Sequence, residues 1–207
     1  MKAIRTGKNE DRTRHFYQSR SQEYADATRG RALKRELYEF MVRLPSDGVV
    51  LDLGCGAGHD LASFHQQGRT AFGLDYAAQI ATIAHATSQA PVVVADMRAI
   101  PFANASFDGV WASASLLHLP RGDLAVALRE INRILRSDGL LFASVKTGTG
   151  DVYDADGRLF TFYDERTFQD ALMQADFKPI STGFNGGLPT GAKSVVEEWM
   201  TSLSVSS

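Results

Sequence analysis

The sequence is poor in the features that mark a membrane protein, a disulfide-stabilised protein or a nucleic-acid-binding protein. It contains one cysteine, Cys55, so no disulfide can form within the chain. No apolar run approaches the roughly 18 residues that a spanning helix needs, and the first residues lack the apolar core of a signal peptide. The net charge of −2 argues against general affinity for nucleic acid. We therefore expect a cytoplasmic protein that does not associate with a membrane.

Charge is distributed unevenly along the chain. Residues 1–35 hold ten Lys and Arg against four Asp and Glu, a net charge of +6, which leaves −8 for the remainder. A basic segment of this kind can contact phosphates or an acidic substrate, or it can be a solvated terminus. The length of 207 residues fits one domain, and we expect a monomer or a homodimer.

The first 44 residues have a helical pattern. Residues 1–12 are predicted to be flexible, and residues 13–44 carry apolar side chains at helical spacing. Thr28, Arg29 and Gly30 are expected to break this segment into two helices. The pieces can form a helical lid over the site, with Phe16, Tyr17 and Tyr24 facing a ligand. The same aromatic residues can also simply pack a helix onto the core.

From residue 45 to residue 207, strands and helices alternate. Five apolar segments, each followed by a helix or a loop, predict parallel strands at 49–53, 70–74, 92–95, 109–112 and 140–145. The last two predicted strands, 178–184 and 194–203, have no helix between them and are expected to form an antiparallel hairpin at the edge. The sequence therefore predicts an α/β fold with a doubly wound, seven-stranded, mostly parallel sheet and helices on both faces.

A glycine-rich turn follows the first predicted strand. Gly54, Gly56 and Gly58 alternate with Cys55 and Ala57, and glycine is suited to backbone that turns with positive φ or closely approaches a ligand. The third glycine comes one residue earlier than in the dinucleotide-binding fingerprint, and the Gly-Lys-Ser/Thr of a phosphate-binding loop is absent. Because the turn has no neighbouring lysine, it favours a neutral or cationic ligand over a pyrophosphate.

Acidic residues lie in or after three successive predicted strands. Asp52 is inside the first, Asp75 ends the second and Asp96 follows the third. Asp75 lies 21 residues past Gly54, a spacing at which an acid can bind both ribose hydroxyls. Asp96 can accept a hydrogen bond from an adenine amine while Met97 packs on the ring. Together with the glycine turn, these acids predict a site for an adenosine-like ligand, and no metal site is expected.

The motifs resemble those of the class I S-adenosylmethionine-dependent methyltransferases. The resemblance rests on Val50–Gly58, Gly73–Asp75, Ala95–Met97, Ser106–Asp108, Ser115–Leu119 and Leu128–Leu135. It covers residues 15–184, is specific for the superfamily and says little about the substrate. It implies a Rossmann-like fold, S-adenosyl-L-methionine as cofactor and S-adenosyl-L-homocysteine as the product of methylation.

The resemblance also implies roles for individual residues. The turn at Gly54, Cys55 and Gly56 would face the methionine part of the cofactor, with Asp52 near its amino group. Asp75 would bind the ribose, and the adenine would lie near Tyr76, Asp96 and Met97. The segment from Ser113 and Ala114 to Leu116 would close the methionine end, and Tyr24 would cover the cofactor.

Candidates for catalysis and substrate binding lie outside the common core. His118 follows the fourth strand and, with an ordinary pKa of about 6.5, is a candidate general base; it can also be a loop histidine that only packs. Tyr17, Lys146, Arg158 and Tyr163 are candidate substrate ligands. Arg158 can hold a carboxylate or pair with an aspartate of its own loop.

The sequence predicts an enzyme that methylates a small-molecule acceptor by in-line displacement, with or without help from a base. Two alternatives stay open at this point. One is another reaction of the sulfonium, such as intramolecular cyclisation or other alkyl transfer. The other is an RNA or protein methyltransferase, which would need residues 1–35 or another surface to read its substrate.

Overall fold

The computed structural model describes residues 10–30, 33–186 and 198–206. Its strands are β1 (Val49–Leu53), β2 (Thr70–Asp75), β3 (Val92–Val94), β4 (Phe107–Ala112), β5 (Leu135–Lys146), β6 (Asp151–Tyr153), β7 (Leu159–Thr161), β8 (Phe177–Gly186) and β9 (Glu198–Ser206). Its helices are α1 (Glu10–Ser19), α2 (Ser21–Thr28), α3 (Lys34–Met41), α4 (His59–Gln66), α5 (Ala78–Ser88), α6 (Leu124–Ile134) and α7 (Glu165–Gln174). Two single 3₁₀ turns, Leu116–His118 and Arg121–Asp123, precede α6.

Seven strands form one sheet in the order β3-β2-β1-β4-β5-β9-β8. Strands β1 to β5 are parallel, and β9 pairs antiparallel with both β5 and β8. This confirms the predicted fold class, including the antiparallel terminal hairpin. The chain runs outward from β1 to β2 and β3 on one side and to β4 and β5 on the other. A crevice at the carboxyl ends of β1 and β4 is therefore expected, because ligands of such sheets bind where the strand order reverses.

Hydrophobic cores lie on both faces of the sheet. On one face, alternate strand residues such as Leu51 and Val110 pack against α6 and α7. On the other, Val50 and Trp111 pack against α3 and α4. The Trp111 ring stacks on Phe142 with centroids 3.8 Å apart. Since successive strand residues point to opposite faces, the apolar runs of β1 and β4 bury both sides of the sheet.

Several element boundaries differ from the predicted ones. Helix α1 begins at Glu10 rather than at residue 13, and the N-terminal segment is broken at Arg20 as well as after Thr28. Strand β5 begins at Leu135, directly after α6, and passes through Asp138 with a φ of +60°. Residues 1–9 of the predicted flexible segment and residues 194–197 of the last predicted strand lie outside the described residues.

The polar stretch after β5 contains a small hairpin that the sequence did not indicate. Strands β6 and β7 form a separate two-stranded antiparallel sheet. Its strands have only three residues each, too few for a pattern of alternation to stand out. In the part of the chain that the structure describes, no helix combines the length and apolar character needed to cross a membrane.

Candidate active site

The glycine turn joins β1 to α4 and forms the floor of a pocket. Gly54, Gly56 and Gly58 have φ values of +73°, +52° and +80°, a region that side chains disfavour. The turn is tied to the next strand because the N–H groups of Gly54 and Cys55 both donate to the carbonyl oxygen of Leu74. A Cβ at Gly54 would lie 2.4 Å from the Ser115 Cβ. The absence of a side chain therefore lets the turn approach the loop after β4.

A single pocket brings together most of the predicted site residues. Its volume is about 820 Å³, including the part open to solvent. The predicted residues in its wall are Tyr17, Tyr24, Gly54, Gly56, Asp75, Tyr76, Asp96, Met97, Ser113, Ala114 and His118. Of the predicted lid of residues 13–44, α1 and α2 contribute Thr13, Arg14, Tyr17 and Tyr24 to the pocket wall, whereas α3 packs on the sheet.

Asp75, at the end of β2, faces the pocket and supports its floor. Its Oδ2 accepts a hydrogen bond from the Gly56 N–H at 3.0 Å, and its Oδ1 accepts one from the Ala77 N–H at 3.0 Å. Burial raises the pKa of this carboxyl to about 6, although the backbone donors act in the opposite direction. Asp75 is therefore ionised above that pH and keeps lone pairs on both oxygens for hydroxyl donors of a ligand.

Asp96 is held by an arginine that the sequence analysis missed. Arg98 donates from Nη2 to the Asp96 Oδ2 at 2.6 Å and from Nη1 to the Asp123 Oδ2 at 2.6 Å, and its side chain is only 5% exposed. The Arg98 N–H also donates to the Asp96 Oδ1. These bonds fix the Asp96 carboxylate beside Met97 in the pocket wall. The Asp-x-Arg spacing was the available signal, because a residue two positions on can reach back to an aspartate.

Two residues predicted to bind the cofactor lie beneath the pocket and not among its lining residues. Asp52 is 3% exposed, and its Oδ2 is buried and makes no hydrogen bond within residues 10–30, 33–186 and 198–206. Burial, followed by the neighbouring carboxylates of Asp60 and Asp75, raises the pKa of Asp52. The Cys55 sulfur faces β2, since a Cβ at Gly73 would lie 2.9 Å from it, and burial raises the pKa of this thiol. Direct cofactor contacts from these two side chains stay predictions.

The loop after β4 forms the opposite wall. Ala114 has a φ of +51°, an unusual conformation for a residue with a side chain, and its N–H donates to the Ser144 Oγ at 2.8 Å. The neighbouring Ser115 also lines the pocket, and its Oγ is buried with no hydrogen-bond partner among the residues that the structure describes. Unpaired buried hydroxyls are rare. Ser115, which the sequence placed only within a closing segment, is therefore a candidate contact for a polar ligand group.

The N-terminal helices contribute aromatic and cationic groups. Tyr17 meets Tyr24 edge to face with ring centroids 5.0 Å apart. The Arg14 guanidinium lies 4.5 Å from the Tyr76 ring centroid, and both residues line the pocket. Thr13 accepts a hydrogen bond from the Leu159 N–H at 2.9 Å, which ties α1 to β7. The roles of Thr13 and Arg14 had no local signal in the sequence, because their partners are distant in the chain.

His118 is fixed by two hydrogen bonds. Its Nδ1 lies 2.6 Å from the Leu159 carbonyl oxygen, and its Nε2 lies 2.9 Å from the Tyr17 Oη. A carbonyl oxygen can only accept, so Nδ1 carries the proton and Nε2 accepts from the Tyr17 hydroxyl. Burial lowers the pKa of His118 to about 4, which keeps the ring neutral at pH 7.

The remaining predicted substrate ligands lie behind the pocket wall. Lys146 is buried, with its Nζ 4.0 Å from the Phe160 ring centroid. Arg158 pairs with Asp154 of its own loop at 2.6 Å and also interacts with the Tyr17 phenol. Tyr163 is buried, and its hydroxyl has no hydrogen-bond partner in the described part of the chain. Burial raises its pKa to about 12. None of these three candidates is among the lining residues, so substrate contacts from them stay predictions.

Comparisons with known proteins show which families the chain resembles. Residues 51–143 match a family model described as a methyltransferase domain. An uncharacterized protein of Methanocaldococcus jannaschii is 36% identical over 125 residues, which is 60% of this chain and 45% of that protein. A malonyl-[acyl-carrier protein] O-methyltransferase of Herminiimonas arsenicoxydans is 32% identical over 142 residues, 63% of this chain and 53% of the relative. The chain thus spans about half the length of these curated relatives.

Solved structures of other proteins share this fold. A 1,6-didemethyltoxoflavin-N1-methyltransferase of Burkholderia thailandensis superposes with a TM-score of 0.78. The match covers 100% of this chain and 93% of the other, at 22% sequence identity. That structure holds 1,6-didemethyltoxoflavin and S-adenosylhomocysteine.

Proposed function

We propose that this chain, which belongs to the class I S-adenosylmethionine-dependent methyltransferase superfamily, transfers a methyl group from S-adenosylmethionine to a small-molecule acceptor. The observation that carries the proposal is the convergence of the glycine turn, Asp75 and the loop after β4 on one covered pocket. The match to the methyltransferase family model supports it, as does the neighbouring fold that holds S-adenosylhomocysteine.

The residues in the pocket fit the cofactor. The positive-φ backbone at Gly54 and Gly56 leaves the floor without side chains, so a ligand can lie against the main chain. Asp75 presents carboxylate oxygens to hydroxyl donors, as the ribose requires. Asp96 and Met97 offer an acceptor and an apolar surface for the adenine. The orphaned Ser115 hydroxyl lies in the same pocket, where a polar group of the methionine part would supply its missing partner.

The protein's contribution to the reaction is positioning. When bound, the sulfonium supplies an already electrophilic methyl group, so the chain must align an acceptor with it and exclude water. Tyr17 and Tyr24 close one side of the pocket, and Ala114 and Ser115 close the other. Holding two reactants in line in such a site can lower the barrier by about 7–11 kcal/mol. A dedicated acid or base adds to this term and is not a precondition for it.

The covered pocket favours a small acceptor over a polymer. Its roof consists of side chains of α1 and α2, with Arg14 over Tyr76 on one side and Tyr17 on His118 on the other. A nucleic acid or a protein chain would have to insert a single base or side chain beneath this roof. The small heterocycle named with the Burkholderia enzyme supports the same substrate class.

Methyl transfer is tested by incubating the protein with methyl-labelled S-adenosylmethionine and a metabolite extract. We expect mass spectrometry to detect S-adenosylhomocysteine and one newly labelled small molecule. The matched controls are protein-free extract and the Asp75→Ala variant. Formation of methylthioadenosine would indicate a different reaction of the sulfonium, and label on RNA or protein added in parallel would overturn the substrate class. If the folded protein does not turn over the cofactor in the presence of the metabolite extract, the proposal is contradicted.

A further inference from the structure

Tyr17, His118 and the Leu159 carbonyl form a hydrogen-bonded chain that begins in the pocket. Tyr17 lies in α1, His118 in the 3₁₀ turn that follows β4, and Leu159 in β7. In sequence, Tyr17 is 101 positions from His118, and His118 is 41 positions from Leu159. The first two line the pocket, whereas the Leu159 carbonyl lies behind them. This series of hydrogen bonds therefore leads from the ligand site into the protein.

This arrangement changes the role expected for His118. A neutral imidazole has one N–H and one lone pair. The N–H is donated to Leu159, and the lone pair accepts the Tyr17 hydroxyl. His118 has no nitrogen left for an acceptor molecule, so the expectation that it takes a substrate proton directly does not fit this geometry. Tyr17 lines the pocket, and its hydroxyl oxygen keeps a lone pair while its proton is donated to His118.

We propose that Tyr17 is the catalytic residue that takes the acceptor's proton while it passes its own hydroxyl proton to Nε2 of His118. The proposal rests on the methyltransferase function argued above and names the residue that touches the acceptor. His118 acts through Tyr17 and is a positioning residue and proton store. Burial raises the pKa of Tyr17 well above its usual range, and the Arg158 guanidinium acts only partly against this, so Tyr17 gives up its proton as it receives the acceptor's.

The step balances in atoms and charge. A lone pair of the acceptor forms the bond to the methyl carbon, and the carbon–sulfur pair leaves with the neutral thioether. The acceptor's proton moves to the Tyr17 oxygen, and the Tyr17 proton moves to Nε2 of His118. The positive charge lost from sulfur ends on the imidazolium, which keeps its Nδ1–H on the Leu159 carbonyl. Proton release to water resets the pair.

The relay is tested with Tyr17→Phe and His118→Gln, using the labelled cofactor and the same metabolite extract as the acceptor source. We expect Tyr17→Phe to slow formation of S-adenosylhomocysteine at least 100-fold, with cofactor affinity within threefold of wild type. His118→Gln keeps an acceptor for the Tyr17 hydroxyl but no base, so it should be equally slow. The controls are Tyr38→Phe, at a tyrosine that is 63% exposed, and His65→Gln, at an exposed histidine. Wild-type rates in Tyr17→Phe, or full activity in His118→Gln, would overturn the proposal.

A second measurement judges the relay without an acceptor. In ¹⁵N-histidine-labelled protein with S-adenosylhomocysteine, the His118 signals should report a protonated Nδ1 and a hydrogen-bonded Nε2. Tyr17→Phe should shift the Nε2 signal toward that of a free imidazole nitrogen, and Tyr38→Phe should not. An unchanged Nε2 signal would overturn the relay. If the wild type and every variant fail to turn over cofactor while this shift occurs, the proposed function fails and the hydrogen-bonded pair stands.

Discussion

Single residues of this pocket are defined by partners that are far away in sequence. His118 is an example, because the Leu159 carbonyl selects its tautomer and Tyr17 occupies its remaining nitrogen. Burial lowers its pKa to about 4, below the ordinary 6.5. Between these values the unfolded chain binds a proton that the folded chain does not. The free energy of unfolding of the wild type therefore falls as pH drops from about 6.5 to 4. Above pH 6.5, titration of His118 does not change this free energy.

This linkage predicts how His118→Gln alters the pH dependence of folding. The difference in unfolding free energy between wild type and variant should shrink by about 2 to 3 kcal/mol between pH 7 and pH 4. Urea titrations at several pH values give this difference directly, and other titrating groups, including Asp75, cancel in it. His65→Gln, at an exposed position, serves as the control. A difference that stays constant with pH would show that His118 is not held neutral.

The sequence predicted the positions of pocket residues better than their partners. Gly54, Asp75 and Met97 were found because strand ends and glycine spacing are local signals. The pairing of Asp96 with Arg98 was missed, although it determines where the Asp96 carboxylate points. Asp52 and Cys55 were placed in the right strand and turn, but a sequence cannot show whether a side chain faces the ligand or lies under it.

At the scale of elements, the turn between β1 and α4 determines the shape of the site. Gly58 directly precedes α4, and its lack of a side chain also lets α4 approach α5. A Cβ there would lie 2.7 Å from the Ala84 carbonyl oxygen. This contact involves backbone atoms and cannot be relieved by rotating a side chain.

The turn therefore predicts unequal costs for two glycine substitutions. Gly58→Ala should lower the free energy of unfolding by about 3 kcal/mol, from a disfavoured φ together with a clash in the core. Gly68 has a similar φ of +76°, but a Cβ there would meet no described atom within 4 Å. Gly68→Ala should therefore lower the free energy of unfolding by about 1 kcal/mol. Urea unfolding of both variants compares them. Equal losses would mean that α5 moves away and that the close approach is dispensable.

Elements were predictable where a periodic pattern was long enough. The alternation from β1 to β5 and the terminal hairpin were confirmed by the sheet order. The β6–β7 hairpin was not predicted, because three-residue strands carry no alternation and their stability comes from contacts with α1 and His118. The break at Arg20 has no glycine or proline to mark it.

For the whole molecule, the order of strands determines where ligands bind. The reversal at β1 and β4 opens a crevice, and α1, α2 and the 3₁₀ turn after β4 cover it. We expect this crevice to hold S-adenosylmethionine, with Asp75 on the ribose. Isothermal titration calorimetry with S-adenosylhomocysteine at pH 7.5 tests it most directly.

We predict one binding site per wild-type chain. Asp75→Ala should weaken binding by about 1 to 3 kcal/mol, the usual cost of removing a buried polar partner. Asp47→Ala, at an exposed position just before β1, should bind like wild type. Thermal melting of all three proteins verifies folding. Absence of binding to the folded wild type would contradict a cofactor site in this crevice. Equal affinity in Asp75→Ala would contradict the placement of the ribose on Asp75.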